Sequence, residues 1–296
     1  MIDFIYTKTS DEFQLQGVHF EPKNKKDLCL LIIHGMSGFI VENKYGIVVG
    51  KNLSKKGTGV VYSHNRGYTH INDISTTKKT KDGGFKTKRI GAIYERFSEC
   101  EYDIDAWIKT CLKLGYKRIV LFGHSLAGPK TIYYLHKHQP KKVVGHILAS
   151  SGDMVGLVKN PGYQPDYLQL LKEAKQNIKR NKPRKILTGK IWDWYKISSQ
   201  TFLDYFEDGC PADVFPVLRN PKIWTELASI KIPILCFYGE YDDTFIKSIK
   251  EDMGLIESKA TSCPNFTKHI LKLANHNYVN QEDALSEFLY DWIKKI

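Results

Sequence analysis

The feature that most constrains this chain is a serine placed between a predicted strand and a predicted helix. Four apolar, mostly β-favouring residues at positions 119–122 run directly into Gly-His-Ser-Leu-Ala-Gly at positions 123–128, and a helical pattern follows at once. Ser125 is therefore predicted to lie on a tight strand-to-helix turn with a strained backbone. Such a turn needs small residues two positions before and two positions after the serine, and Gly123 and Ala127 meet that requirement.

The same turn would place the serine hydroxyl at the N-terminus of a helix. Free backbone N–H groups and the positive end of the helix dipole stabilise negative charge at that point. A serine hydroxyl is a weak nucleophile at neutral pH, so it also needs a base within hydrogen-bonding distance and a group that orients the base. Ser125 is thus a candidate nucleophile if the rest of the chain supplies an acid and a histidine.

The composition is that of a globular protein with one unusual quantity, its charge. The chain has 296 residues, of which 42% are hydrophobic, and this is enough to bury a large core. The formal net charge of +12 would suit nucleic acid or an anionic membrane surface. The lysines are scattered rather than collected in one basic and aromatic stripe, so we predict no nucleic-acid partner. Most of the charge is interpreted as solvated surface, and an attraction for acidic substrates stays open.

The cysteines and the N-terminus exclude further classes of protein. The six cysteines are widely spaced, without a Cys-x-x-Cys pair, so no metal site, cofactor or disulfide framework is predicted. The N-terminus lacks a basic segment followed by an apolar one, and the apolar run at 28–33 is too short to span a bilayer. We therefore expect a cytoplasmic protein without a membrane span. The oligomeric state is left open.

Strand and helix signals alternate along the first half of the chain. Residues 1–22 alternate loosely in hydrophobicity and predict an antiparallel hairpin. The run at 28–33 predicts a strand buried on both faces of a mainly parallel sheet, and the next helix and strand complete a βαβ unit. The polar residues 65–94 predict a long loop that is functional or disordered, with Arg66 near its start at the ligand-binding edge of the sheet.

The second half contains an interruption. A helix is predicted at residues 97–114, where we interpret Asp103 and Asp105 as solvated carboxylates. After a strand at 143–149, the alternation stops for a helical, aromatic and proline-rich segment, and it resumes at a strand predicted over 232–238. The last predicted elements are a strand at 270–274 and an amphipathic helix at 281–296.

The serine turn and the order of these elements resemble the α/β-hydrolase superfamily. The one departure in the turn is Ala127, where most members have glycine. The resemblance implies an α/β-hydrolase fold, with a mostly parallel central sheet flanked by helices. It also implies that residues 1–153 and 230–296 form the hydrolase core and that residues 154–229 form a helical cap over the active site.

The same resemblance implies the acid and the base, which follow the serine in the order acid, then histidine. Gly239-Glu240-Tyr241-Asp242 resembles the acid turn of the superfamily, so Asp242 takes the orienting role, with the adjacent Asp243 and the earlier Asp153 as alternatives. His276 lies in the loop after the last strand and takes the role of base. His269 is interpreted as structural, and His124 as packing beneath the serine.

The tetrahedral intermediate of acyl transfer needs two N–H donors. One is predicted to be the backbone of Leu126, directly after the nucleophile. The second is implied by His34-Gly35-Met36-Ser37-Gly38, which resembles the His-Gly-x turn of cinnamoyl-type esterases and makes Met36 N–H the donor. His34 is interpreted as support for this turn rather than as a second base.

These residues predict a serine esterase that hydrolyses a small-molecule carboxylic ester through an acyl-enzyme. Two alternatives stay open: an amide or peptide hydrolase of the aminopeptidase type, with Glu207 and Asp208 as the candidate acidic patch, and a ligand-binding protein on a hydrolase fold. The residues around Arg66, the following loop and the aromatic insertion also resemble, loosely, a group that includes siderophore ester hydrolases. The acyl and alcohol groups of the substrate are not predicted.

Overall fold

The structure, a computed structural model, describes residues 1–24 and 27–296. Its strands are β1 (Ile2–Lys8), β2 (Gln14–Phe20), β3 (Leu28–Ile33), β4 (Gly59–Ser63), β5 (Asp73–Lys79), β6 (Phe85–Arg89), β7 (Arg118–His124), β8 (Val143–Ala149), β9 (Ile234–Gly239) and β10 (Phe266–Leu271). Its helices are α1 (Lys44–Lys55), α2 (Cys100–Lys113), α3 (Ala127–His138), α4 (Met154–Lys159), α5 (Tyr167–Lys179), α6 (Ser199–Phe206), α7 (Thr225–Ala228), α8 (Ile249–Lys259) and α9 (Glu282–Ile293).

Across the described residues, eight strands form one sheet in the order β1-β2-β4-β3-β7-β8-β9-β10. β2 pairs antiparallel with both β1 and β4, and every other neighbouring pair in the sheet is parallel. The carboxyl ends of the parallel strands therefore meet at one edge, where open α/β sheets bind their ligands. The predicted fold class, a mostly parallel sheet flanked by helices, is confirmed.

The central strand β3 shows why the sheet is covered on both faces. All six of its residues are buried, and successive side chains of a strand point to opposite faces. Leu31 belongs to the core cluster that contains Trp107 of α2, whereas Leu30 belongs to the cluster that contains Tyr45 of α1. A continuous apolar run is therefore needed here, because neither face of the strand contacts water.

The polar residues 65–94 correct one expectation. Part of this segment is an antiparallel hairpin of β5 and β6 rather than a plain loop. Thr, Lys and Gly dominate its sequence, and β6 is exposed along its whole length. Because no face of β6 is buried, the apolar alternation that predicts a strand is absent from it.

Arg66 and Asp103 correct two more expectations. The Arg66 side chain is fully buried and forms ion pairs with Asp103 at 2.8 Å, Asp11 at 2.8 Å and Glu99 at 2.7 Å. Asp103 is buried rather than solvated, whereas Asp105 is partly exposed and pairs with Lys109. A buried guanidinium needs paired carboxylates to replace its hydration. Arg66 is thus a structural residue that does not line the cavity described below.

The segment 154–229 contains α4 to α7 and is tied to the residues before α2. Ser198 N–H and Thr201 Oγ1 both donate to the carbonyl of Ile93, each at 3.0 Å. Phe202, Tyr205 and other aromatic side chains of this segment form a third core cluster together with Leu126. Within the described chain, no helix is both long and apolar enough to cross a membrane. The division into core and cap stays a prediction.

The C-terminal region differs from the predicted boundaries. The last strand is Phe266–Leu271 instead of 270–274, because β10 is a half-exposed edge strand whose polar residues hide the pattern. His269 therefore lies inside the strand, where it stacks on Phe288. Helix α8 was not predicted, although Ser248 and Glu251 form a reciprocal cap at its start. That Ser-x-x-Glu spacing is the signal that could have located it.

Candidate active site

Ser125 lies on the predicted turn between β7 and α3. Its φ of +54° is in the left-handed region, where a residue other than glycine is strained. A Cβ on Gly123 would lie 2.6 Å from the carbonyl oxygen of Ala127, which explains the need for a small residue before the serine. The turn is fixed by hydrogen bonds from Ser125 N–H to Ala149 O and from Gly128 N–H to Ser125 O, both at 2.9 Å.

The structure brings His276 and Asp242 together from different loops. His276 Nδ1 lies 3.1 Å from Asp242 Oδ1, and the residues follow β10 and β9 respectively. Because an ionised carboxylate only accepts hydrogen bonds, Nδ1 carries the proton and Nε2 keeps a free lone pair. The imidazole is partly exposed, with 26% of its side-chain surface accessible, whereas the Asp242 side chain is fully buried. This pair can orient a base whose other nitrogen is available to a proton donor.

The ionisation of Asp242 depends on its hydrogen bonds. Burial disfavours the charged carboxylate, but the hydrogen bond and charge of His276 outweigh it and hold the pKa of Asp242 well below its usual range. Thr244 adds two donors to Oδ1, its N–H at 3.0 Å and its hydroxyl at 2.7 Å. Thr244 was missed in the sequence, where its only signal is a hydroxyl residue two positions after the acid.

The two alternative acids lie in different surroundings. Asp243 is exposed and lines the cavity described below, without a hydrogen bond to His276 among the described residues. Asp153 caps α4, accepting from Gly156 N–H at 2.7 Å, and also accepts from Leu218 N–H at 2.9 Å. Burial raises the pKa of Asp153 to about 6. Asp242 is therefore the carboxylate that the structure places against His276.

His124 packs beneath the serine turn and contacts the loop of the candidate base. Its Nε2–H donates to the carbonyl of His276 at 2.8 Å, and the two rings lie 4.8 Å apart between centroids. Burial, aided by the nearby His276, lowers the pKa of His124 to about 3, so the ring is neutral at physiological pH. His124 thus holds the main chain of His276 in place.

Ser125 and His276 line the same cavity but are not hydrogen-bonded to each other. Among the described residues, the polar contacts of His276 are with Asp242 through its ring and with His124 through its carbonyl. Catalytic hydrogen bonds between a nucleophile and its base are often long without substrate and tighten when substrate binds. The arrangement is compatible with proton transfer between the two side chains.

One predicted N–H donor directly follows Ser125 in the chain, and the other lies on the turn whose Gly35 approaches Ser125. Within the described chain, neither Leu126 N–H nor Met36 N–H donates a hydrogen bond to another residue. A Cβ on Gly35 would lie 2.7 Å from Ser125 Cβ, so only glycine lets the turn containing Met36 approach the serine. Both donors border the cavity and are free to bind an oxyanion.

The turn that carries Met36 is held by His34 and Asn65. The buried ring of His34 donates from Nδ1 to Gly35 O at 2.8 Å and accepts at Nε2 from Asn65 N–H at 3.2 Å. Asn65 Nδ2 donates to His34 O at 3.0 Å. Burial lowers the pKa of His34 strongly, and this keeps the ring neutral. The start of the 65–94 segment therefore supports the turn rather than a ligand.

A cavity of about 530 Å³ opens over Ser125 at the carboxyl edge of the sheet. It is lined by the serine turn, the Met36 turn, the His276 loop and the segment 154–229. The contributions of that segment are Met154, Leu157, Gly162, Tyr163, Trp192, Asp193 and Trp194. Most other aromatics of the segment, including Phe202 and Phe206, are buried in the third core cluster. The segment therefore forms one wall of the cavity.

One group of side chains in the described chain could also hold a metal ion. Asp242, Asp243 and His276 each offer a ligand atom, and these atoms lie within 4.8 Å of one another. The Asp242 and His276 atoms are already joined by a hydrogen bond, so they are partners of each other. The absence of a metal or cofactor stays a prediction.

Comparison with known proteins identifies the family. The family model described as the alpha/beta hydrolase fold matches residues 29–277, so the chain belongs to the α/β-hydrolase family. No curated protein matches the chain by sequence.

Several solved structures are similar over nearly the whole chain. Est1E from Butyrivibrio proteoclasticus with ferulic acid bound has a TM-score of 0.64 and 16% identity, covering 98% of each chain. A soluble variant of monoglyceride lipase from Saccharomyces cerevisiae in complex with a substrate analogue has a TM-score of 0.64 and 14% identity, covering 98% of this chain and 94% of its own. An esterase from Pyrococcus furiosus has a TM-score of 0.62 and 16% identity, covering 100% of this chain and 91% of its own. At these identities the likeness shows the fold.

Proposed function

We propose that this protein is a serine hydrolase that cleaves a carboxylic ester of a small molecule. The observation that carries the proposal is the contact of 3.1 Å between His276 Nδ1 and Asp242 Oδ1, beside the cavity that contains Ser125. Residues from three separate segments meet at the edge where open α/β sheets bind their ligands. In this proposal Ser125 is the nucleophile, His276 the base and Asp242 the group that orients the base.

The first half of the reaction forms an acyl-enzyme. Ser125 Oγ attacks the carbonyl carbon of the ester while its proton passes to His276 Nε2. Asp242 stabilises the resulting imidazolium and stays ionised, because its pKa is held low by the hydrogen bond to His276 and by those from Thr244. The imidazolium then protonates the departing alkoxide, and the alcohol leaves.

The N–H groups of Leu126 and Met36 act on the oxygen of the carbonyl. In the tetrahedral intermediate this oxygen carries a negative charge, which two unpaired donors and the N-terminus of α3 stabilise in place of water. In the second half of the reaction, His276 takes a proton from water, the hydroxide attacks the acyl-enzyme, and the carboxylic acid is released. No cofactor takes part in these steps.

Ester cleavage is favoured over the alternatives chiefly by the similar solved structures. The similar structures include esterases and a lipase, among them one with ferulic acid bound. Glu207 and Asp208, the acidic pair considered for a peptide hydrolase, do not line the cavity and are paired with Lys175 and Lys159. A binding protein without activity is disfavoured because Ser125, His276, Leu126 and Met36 line one cavity.

Residues 154–229 are proposed to act as the cap and the rest as the hydrolase core. The cap supplies one wall of the cavity, whereas the reacting groups come from the core. The cap is therefore proposed to select the substrate, and a cytoplasmic location is proposed for the protein. The small-molecule ester is the one partner proposed; nucleic acid is not.

The test is covalent labelling combined with turnover. We expect a fluorophosphonate probe to label the wild-type protein and not Ser125→Ala, and we expect p-nitrophenyl esters to be hydrolysed by the wild type alone. Loss of the nucleophile leaves a residual rate of roughly 10³-fold over water. Ser258→Ala is the control, because Ser258 is an exposed serine of α8 outside the cavity lining, and its hydroxyl bonds the carbonyl of Leu255. Near wild-type turnover in folded Ser125→Ala would reject the proposal.

A further inference from the structure

The charges that line the cavity differ in sign from the charge of the chain as a whole. The chain has 44 Lys and Arg residues against 32 Asp and Glu. Among the described residues that line the cavity, none is Lys or Arg, whereas Glu42, Asp193 and Asp243 are carboxylates. They come from three separate segments, the residues before α1, the insertion and the loop after β9. The cavity is therefore locally acidic in a basic protein.

None of the three carboxylates is neutralised by the protein. All three are exposed, and within the described chain no ion pair or side-chain hydrogen bond involves any of them. By contrast, Glu240 near Asp243 in sequence is paired with Lys272, and Asp208 is paired with Lys159. The charges of Glu42, Asp193 and Asp243 are thus available to a molecule in the cavity.

A second feature of the lining is independent of these charges. Three aromatic side chains border the cavity, those of Tyr163, Trp192 and Trp194, and within the described chain no lysine or arginine lies over any of their rings. An aromatic face attracts cations through its quadrupole, and ammonium groups are bound in this way in proteins. Aromatic rings together with free carboxylates form the kind of lining that recognises an ammonium group.

We propose that the substrate of this cavity carries a cationic group, a primary or quaternary ammonium, on its acyl or alcohol part. The inference rests on the proposed ester hydrolysis for the reaction, but its evidence is the lining itself. It reverses the idea that the basic surface attracts acidic substrates. At physiological salt a charge is screened over about 8 Å, so the scattered surface lysines affect the bound ligand less than the carboxylates beside it.

Matched ester pairs give the test. One pair is butyrylcholine and 3,3-dimethylbutyl butyrate, in which a tert-butyl group replaces trimethylammonium. The other is p-nitrophenyl 6-aminohexanoate and p-nitrophenyl heptanoate, which places the charge on the acyl part. The readout is the ratio of kcat/KM for the cationic ester to that for its neutral partner. We expect a ratio of about 10 for at least one pair at low ionic strength, decreasing with added salt.

Variants test whether the three carboxylates cause the preference for the cationic ester. The triple variant Glu42→Gln, Asp193→Asn, Asp243→Asn should bring the ratio to about 1. A control triple variant makes the same change in net charge away from the cavity and should keep the wild-type ratio. Its substitutions are Asp3→Asn, Glu21→Gln and Glu226→Gln. Equal or faster hydrolysis of the neutral ester in both pairs would overturn the proposal, as would an unchanged ratio in the triple cavity variant.

A binding measurement separates this inference from the proposed reaction. Butyltrimethylammonium and its neutral isostere 2,2-dimethylhexane differ only in charge, and Trp192 and Trp194 report occupancy of the cavity by fluorescence. In Ser125→Ala we expect the cation to bind at least about tenfold more tightly than the alkane. If the protein binds the cation but hydrolyses no ester, the proposed reaction is rejected and the proposal of a cationic substrate group stands. If the protein hydrolyses esters but shows no preference for the cation, the proposal of a cationic substrate group is rejected and the proposed reaction stands.

Discussion

Lys130 Nζ lies 2.6 Å from Glu95 Oε1, and both side chains are at most 1% exposed. The other carboxylate oxygen, Oε2, accepts a hydrogen bond from Tyr205 at 2.6 Å. Lys130 belongs to α3, the helix that begins at the candidate nucleophile, and Tyr205 belongs to α6 of the insertion. This buried group therefore joins the helix that follows Ser125 to α6 of the insertion.

Removal of Lys130 should lower the free energy of unfolding. Lys130→Met leaves the Glu95 carboxylate buried without its partner, so we expect the free energy of unfolding to fall by about 3–5 kcal/mol. Lys130→Met combined with Glu95→Gln should restore part of this loss. Lys137→Met is the control, because Lys137 lies on the same helix and pairs with Glu101 through a half-exposed side chain, and pairs with an exposed partner contribute at most about 1 kcal/mol. Urea denaturation measures all four proteins; equal losses for Lys130→Met and Lys137→Met would contradict the expectation.

The two adjacent acids should behave differently in catalysis. Asp242→Asn removes the acceptor that fixes the tautomer of His276, and the comparable change in a serine protease lowers kcat by about 10⁴-fold. Asp243→Asn should change kcat/KM for a neutral ester by less than about threefold, since an exposed charge contributes little. The measurement is kcat/KM for a p-nitrophenyl ester of a neutral acid. A larger loss in Asp243→Asn than in Asp242→Asn would mean that the acid is misassigned.

Buried histidines should make the fold sensitive to acid. Burial lowers the pKa of His146 to about 3, whereas the pKa of a histidine in the unfolded chain is near 6.5. Between these two values the unfolded state therefore binds more protons than the folded state. The stability contributed by neutral His146 is complete above about pH 6.5 and decreases as the pH falls toward 3. Between pH 7.5 and pH 5.0 this single group should account for about 2 kcal/mol of lost stability.

The variant His146→Leu isolates that contribution. Urea unfolding at pH 7.5 and at pH 5.0 should show a smaller pH-dependent loss in His146→Leu than in the wild type. Asp153, whose pKa is raised to about 6, changes stability in the opposite sense, but it is present in both proteins and cancels in the comparison. Equal pH-dependent losses in the two proteins would show that His146 is not a buried neutral group.

The aromatic residues of the insertion should separate into two groups. Alanine at Tyr163, Trp192 or Trp194, which line the cavity, should change the ranking of ester substrates through kcat/KM differences of ~1–3 kcal/mol for each ring removed. Alanine at the buried Phe202 or Phe206 should instead lower stability by about 3–5 kcal/mol. Kinetics on a panel of esters and urea denaturation distinguish the two effects. An unchanged ranking in all three cavity variants would remove the insertion as a specificity element.

The sequence by itself determined the features that depend on consecutive residues. The strand, the turn and the helix around Ser125 are encoded by neighbouring positions, and the small residues that the turn needs lie within two positions of the serine. The fully buried β3 is predictable for the same reason, since its whole length is apolar. Local patterns of this kind persist in the tertiary structure because the fold stabilises the conformation that they already favour.

Tertiary structure alone decided which polar groups are buried. Asp242 and Asp243 are neighbours of the same residue type, and only the folded loops bring Asp242 against His276 and leave Asp243 at the cavity. In the same way, Arg66 pairs with Asp103, and Lys130 with Glu95, across distances in sequence that no local pattern spans. A charged side chain becomes buried only where a distant partner replaces its hydration, and the position of that partner is a property of the complete fold.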